Sequence, residues 1–148
     1  MGIVPPDRYE IVFLNRTRQR LPLAFFRRVA KRSLASVGVR RASIAISFVG
    51  EETMRKLSWR YRRKRRATNV LSFSYGEEGG LLTADIVLCV PLLRREAKAW
   101  DRSVRAHCAM LLIHGILHVA GYTHARPSHA AVMENVERRI AERVGVRL

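Results

Sequence analysis

Apolar and polar positions along the chain follow two periods, and the places where one gives way to the other mark out strands and helices. Residues 9–14 read YEIVFL, aromatic and β-branched enough for a first strand, which Asn15 and the basic run after it bring to an end. Over residues 21–37, Leu, Phe and Val recur at helical intervals with Arg and Lys between them, and Gly38 supplies a stop. SIAISFV at residues 43–49 is a second strand. Residues 50–60 then read as a helix with Glu51 and Glu52 in its first turn, where the helix dipole favours acids. An irregular segment follows. NVLSFSY (residues 69–75) and TADIVLCV (residues 83–90) are two more strands, predicted to form an antiparallel hairpin with a longer loop around EEGG at residues 77–80.

Pro91 closes the sheet region and starts a helix over residues 92–100. The longest apolar helical pattern covers residues 101–120, with Asp101 placed to cap its start and Gly121 to close its end. A last amphipathic helix over residues 128–144 aligns Val132, Met133, Val136 and Ile140 in one stripe. With no internal repeat, low-complexity tract or linker, residues 1–148 are expected to form one α+β domain.

A chain of 148 residues that is 48% hydrophobic buries a core without disulfides as staples. Cys89 and Cys108 have no C-x-x-C spacing, so they are read as buried thiols in a reducing compartment, with no disulfide partner. The opening MGIVPPDRYE lacks a basic start and apolar core, so it reads as no export signal and the expected location is the cytoplasm. The apolar stretch over residues 109–122 is interrupted by His114 and His118 and is too short for the ~30 Å of a bilayer, so no membrane role is expected. Charge changes the picture most: 28 Lys and Arg against 12 Asp and Glu give +16, which implies a polyanionic partner. Affinity for a single strand should then fall with salt, with a log–log slope of about −0.7 per phosphate neutralised.

HGILHVAGYTH places His114 and His118 one helical turn apart on one face; Gly121 lets the chain turn and return His124. Three imidazoles with a fourth position left to water describe a catalytic zinc site rather than a closed structural one. The spacing H-x3-H-x2-G-x2-H is also that of metzincin peptidases, but those carry Glu directly after the first His as general base, and here that residue is Gly115. His107 lies on the same face about 10.5 Å away along the axis, too far for the same ion, and is read as outer-shell or merely buried. His129 is read as solvent-facing.

Between Arg55 and Arg66 eight of twelve residues are Lys or Arg and none is acidic. Guanidinium groups grip phosphate bidentately, which assigns polyanion contact to Arg60, Arg62, Arg63, Lys64, Arg65 and Arg66. Trp59 and Tyr61 lie within this strip; stacking on unpaired bases would suit single-stranded RNA, whereas the bland expectation for the aromatics is that Trp59 packs into the core.

At these residues the chain resembles the bacterial rRNA-maturation endoribonuclease family known as YbeY, whose signature is similar to H-G-x-L-H-L-x-G-Y-D-H. ATNVLSFSY at residues 67–75 is similar to the family's P-T-[DN]-V-L-S-F-P, ADIVLC at residues 84–89 to G-D-I-x-I-C, and LSWRYR at residues 57–62 to L-N-x-x-Y-R. Met133 and Glu137 also match, so the resemblance runs from about residue 50 to the C-terminus. It implies a small mixed sheet flanked by helices and one zinc ion on His114, His118 and His124. It further implies single-strand-specific RNA cleavage in rRNA maturation on the small ribosomal subunit and in ribosome quality control. Arg62 falls on the family's functional arginine, and Asp85 on its site carboxylate, so His114, Arg62 and Asp85 are the residues expected to serve catalysis. An outer carboxylate such as Asp85 would orient a ligand imidazole or the bound water. The chain departs from the pattern at Ser58 (Asn), Arg63 (Gly), Arg65 (Asp), Ala67 (Pro), Ala84 (Gly) and Thr123 (Asp), none of which removes a ligand.

The sequence therefore points to a metal-dependent endoribonuclease. Two other readings remain: a metal hydrolase acting on peptides, and a non-catalytic ribosome-assembly factor with a structural zinc.

Overall fold

The computed structural model describes residues 8–147; the segment MGIVPPD, part of the export reading, lies outside them. The elements follow the order β1 (Arg8–Asn15), α1 (Leu23–Ser36), β2 (Arg41–Val49), α2 (Glu51–Arg62), β3 (Val70–Glu78), β4 (Leu81–Cys89), α3 (Val90–Ala99), α4 (Val104–Val119) and α5 (Pro127–Arg143). They form an α+β fold with a mixed sheet in the order β1-β2-β4-β3. The first three strands in that order are parallel and β3 is antiparallel to β4.

Strand alternation divides the sheet into two faces. Ile11, Ala42, Ile44, Ile46, Phe48, Leu82, Ala84, Ile86 and Leu88 point to a core closed by α1, α4 and α5. Leu71, Val49, Val87 and Cys89 join a smaller cluster on the other face, where Met54 of α2 seals them. Helix α4 is apolar nearly all round, as a helix enclosed on every side must be. It touches α1, α3, α5, β3 and β4.

Local chemistry corrects three of the expected details. Ser103, not Asp101, caps α4, its hydroxyl accepting from the Ala106 N–H at 3.0 Å. Asp101 has φ +52° and closes the preceding helix instead: its N–H donates to Lys98 O, and that of Arg102 to Ala97 O at 2.8 Å. The expected hairpin loop is a two-residue turn, Gly79-Gly80, both at positive φ as a type I′ connection requires, so the strands reach Glu78 and Leu81. A register shift between Ser74 and Glu77 absorbs the extra residues as a bulge. On α5, Met133 and Ile140 are buried and Val136 packs against the core, but Val132 is 55% exposed and lies off the stripe.

Candidate metal centre

Helix α4 sets His114 and His118 one turn apart, with ring centroids 4.5 Å apart and the two Nε2 atoms 3.0 Å from each other. The helix then stops in a motif that satisfies its last carbonyls: Gly121 N–H donates to His118 O at 3.0 Å, and Tyr122 N–H to Leu117 O at 2.9 Å. Gly121 sits at φ +106°, a conformation that L side chains rarely adopt, and this bend returns the chain toward the helix. His124 is thereby brought to 5.6 Å from His114 and 4.9 Å from His118, measured between ring centroids. One nitrogen from each of the three rings lies within 4.8 Å of the others.

A residue from the last helix fixes the arrangement. Glu137 accepts a hydrogen bond from His114 Nδ1 at 2.9 Å. A carboxylate only accepts, so Nδ1 carries the proton and the neutral ring presents a bare lone pair at Nε2. That lone pair faces the Nε2 of His118, an approach that needs a proton or a cation between the two nitrogens. Burial, then the neighbouring His114 and His124, lower the pKa of His118, which favours its unprotonated form. A tetrahedral ion with nitrogen ligands at ~2.0–2.1 Å keeps them about 3.3–3.4 Å apart, close to the spacing of these two nitrogens. The donor set thus fits a divalent metal ion.

The histidines lie in a cleft of about 500 Å³ whose other walls are Arg62, Thr68, Asn69, Val70, Leu71, Ser72, Ser74 and Val119. No carboxylate is among the described residues that line it. Arg62 occupies the last turn of α2, two residues beyond the expected end of that helix. Arg62 and Thr68 also line an adjoining pocket with Ser58, Lys64, Arg65, Arg66 and Ala67, so the basic strip continues the cleft. Arg60 lies over the Tyr61 ring, and Arg63 and Arg65 lie over Trp59. Trp59 is 45% exposed rather than packed into the core. The inward face of α2 is spent on Met54, Leu57 and Ser58, and Trp59 lies a further 100° around the helix.

Asp85 is not brought to this cleft. It pairs in register with Phe73 and accepts a hydrogen bond from Tyr75 Oη at 2.6 Å, whereas its neighbour Ile86 points to α4. Alternation along β4 sends the two side chains to opposite faces of the sheet. The carboxylate beside the ligands is Glu137, brought in from α5 and not assigned a role from the sequence. The match of Glu137 to the family pattern was the available signal. His107 is buried, with Nε2 donating to Glu96 Oε1 at 3.1 Å. Glu96 in turn accepts from Asn69 Nδ2 at 3.2 and 3.3 Å, which anchors that cleft residue. His129 is exposed.

Gly115 explains the missing peptidase base. A Cβ there would lie 3.0 Å from Ser72 Oγ and 3.2 Å from Ile86 Cγ2. The position faces the sheet, and a glutamate side chain has no room.

A family model described as Endoribonuclease YbeY matches residues 15–145. A Ralstonia nicotianae protein named Endoribonuclease YbeY is 46% identical over 105 residues, covering 70% of this chain and 56% of that one. One of the same name from Burkholderia pseudomallei is 45% identical over 106 residues, covering 70% and 58%. The chain thus spans little more than half the length of these two relatives. A third, from Polynucleobacter asymbioticus, is 33% identical over 127 residues, 82% of each chain. The solution structure of TM1509 from Thermotoga maritima aligns with a TM-score of 0.64 over 90% of this chain and 88% of that one, at 22% identity, a likeness of fold.

Proposed function

Because the chain belongs to the YbeY family, we propose that it is a zinc-dependent, single-strand-specific endoribonuclease of one domain. Its proposed setting is the cytoplasm, its substrate the precursor rRNA of the small ribosomal subunit, and its role 16S maturation and ribosome quality control. One observation carries the reading: three imidazole nitrogens converge in a cleft that also presents Arg62, hydroxyls and an amide, and whose described lining includes no acid. Such a lining suits a phosphodiester better than a peptide.

His114, His118 and His124 would hold the ion, which when bound supplies Lewis acidity toward a phosphoryl oxygen and lowers the pKa of a water to about 7. Glu137 holds His114 in the tautomer that offers Nε2. Arg62 grips the phosphate beside the scissile bond, where its guanidinium meets the charge that develops. Arg60, Arg63, Lys64, Arg65 and Arg66 extend the hold along the strand. Arginines over Trp59 leave that ring's outward edge at the surface, beside the path of the RNA.

The test is incubation with unstructured RNA and with casein, each with and without chelator. RNA should be cut only in the metal-loaded sample and casein not at all. His114→Ala should abolish cutting, and Arg62→Glu should lower both binding and turnover. If both variants cut RNA like the parent, the site is misassigned; salt-sensitive binding without metal-dependent cutting identifies a non-catalytic assembly factor.

A further inference from the structure

A second concavity among the described residues is larger than the histidine cleft. A groove of about 1100 Å³ runs between α1 and the outer strand β1, lined by Arg8, Arg27, Arg28, Lys31, Arg32 and Arg41, with Glu10 as the one acid among the described residues of its wall. It shares no lining residue with the cleft. We propose that this groove is a second binding site for the phosphate backbone of RNA, separate from the site of cleavage.

Folding contacts, such as that of Arg28 lying over the Phe25 ring, account for only part of this charge. Helix α1 carries four cations and no acid, and like charges at i and i+4, as in Arg27 with Lys31 and Arg28 with Arg32, repel one another on a helix. Among the described residues Arg8, Arg28, Lys31 and Arg32 form no ion pair. Two further arginines are fixed as walls: Arg27 donates to Ile11 O at 2.8 Å and lies over the Phe13 ring, and Arg41 donates to Gly79 O at 3.2 Å. A guanidinium has five donors, so each wall keeps others for a ligand. A concave wall of six cations against one carboxylate fits a polyanion. A sequence-independent phosphate backbone needs only this.

Its position gives the groove a distinct part. It opens at the β1 edge beside the starts of β2 and β4, while the cleft lies at the β3 edge near Val70, which pairs with Leu88 close to the end of β4. Three inter-strand spacings and seven residues of strand separate these corners by roughly 25–30 Å. A tetranucleotide, about 14 Å long when stacked, is too short to reach both, and a long RNA is not. The groove therefore holds long substrates and is indifferent to short ones. The identity of the polyanion rests on the RNA reading above; the existence of the site does not.

The test compares the parent chain with a triple variant, Arg28→Gln, Lys31→Gln and Arg32→Gln, and with a control carrying Arg20→Gln, Arg143→Gln and Arg147→Gln at exposed positions outside both sites. Binding of a 40-nucleotide unstructured RNA is read by fluorescence anisotropy from 50 to 200 mM salt, and cleavage of a tetranucleotide is read separately. Loss of three phosphate contacts should flatten the log–log salt slope by about 2, so that the parent loses roughly 20-fold more affinity than the variant over this range. Tetranucleotide cleavage should be unchanged, the control should match the parent, and Lys31→Gln alone, which disturbs folding least, should flatten the slope by about 0.7. Equal slopes for parent and variant, or equal loss in the control, overturn the proposal, as does a variant that loses binding to phosphatidylserine vesicles but not to RNA. If the parent cuts no RNA at all, the catalytic reading fails while the binding comparison still decides the groove.

Discussion

Replacing Glu137 by Gln removes one charge and keeps the shape, so it isolates what the carboxylate does for His114. Gln still offers an oxygen to Nδ1–H across the 2.9 Å contact, and only the charge assistance is lost. A hydrogen bond to a charged group is worth about 1.5–3 kcal/mol and a neutral one about 0.5–1.5, so the change costs about 1–1.5 kcal/mol. The side chains of His114 and Glu137 are 31% and 22% exposed, which favours the lower end through solvent screening. Zinc affinity should fall about five- to tenfold, since about 1 kcal/mol is a factor of about five and 1.4 kcal/mol a factor of ten. Glu137→Ala removes the acceptor as well and should approach the ~100-fold end of outer-shell effects.

Competition against a chromophoric zinc chelator at fixed pH measures both variants. Thermal melts with and without zinc give an independent reading, because a tenfold weaker Kd lowers ligand stabilisation by about 1.4 kcal/mol, roughly 3–5 °C for a chain of this size. Without zinc, parent and Glu137→Gln should melt close together. Affinities within twofold of the parent for both variants would refute the claim that Glu137 positions a ligand.

Other consequences are cheaper to check. Gly115→Val should destabilise by about 2–3 kcal/mol in urea unfolding, because the added methyls drive into Ser72 and Ile86, which already lie 3.0 and 3.2 Å from a Cβ. Ser103→Ala removes the hydroxyl that caps α4 and should cost about 1 kcal/mol by the same assay. Ile116→Ala empties a fully buried position of α4 and should cost about 2–5 kcal/mol. Burial pushes the Cys108 thiol up to about 12 from an ordinary value of 9.0. The folded thiol keeps its proton while the unfolded one ionises from pH 9, so its contribution to stability is whole below pH 9 and is lost as pH rises from 9 to 12. Urea midpoints at pH 8 and pH 10.5, with thiol labelling that stays silent until the chain unfolds, test this.

The periods of the hydrophobic pattern located the elements because each reflects which side of a helix or strand meets the core, a local property. What needed the third dimension was less legible. Asp101 and Ser103 are both competent caps, and only the left-handed turn at Asp101 decides that it ends one helix while Ser103 starts the next. Asp85 looked like a site carboxylate from its place in a motif, but alternation fixes only that it opposes Ile86, not which of the two faces α4. Trp59 stands one position past Ser58 on α2, and that single step of 100° turns an expected core residue into a surface platform for Arg63 and Arg65. The convergence of His114, His118 and His124, by contrast, was legible because all three lie within one helix end and its glycine bend.

The same geometry explains why the chain has ligands of metzincin spacing without the metzincin base. Helix positions 114 and 118 share one side, which looks into the cleft, while position 115 is turned about 100° toward the sheet. There a Cβ would press against the side chains of Ser72 and Ile86 at 3.0 and 3.2 Å, closer than such contacts ordinarily run. A Glu at 115 would direct its side chain into Ser72 and Ile86 and not into the cleft that His114 and His118 line. The carboxylate that the site does use therefore comes from a different element, α5, and reaches the far nitrogen of His114 rather than the open side of the cleft. A group bound to Nδ1 from behind orients His114 and leaves the described lining of the cleft to Arg62, hydroxyls and an amide, with no anion among them to repel a phosphodiester.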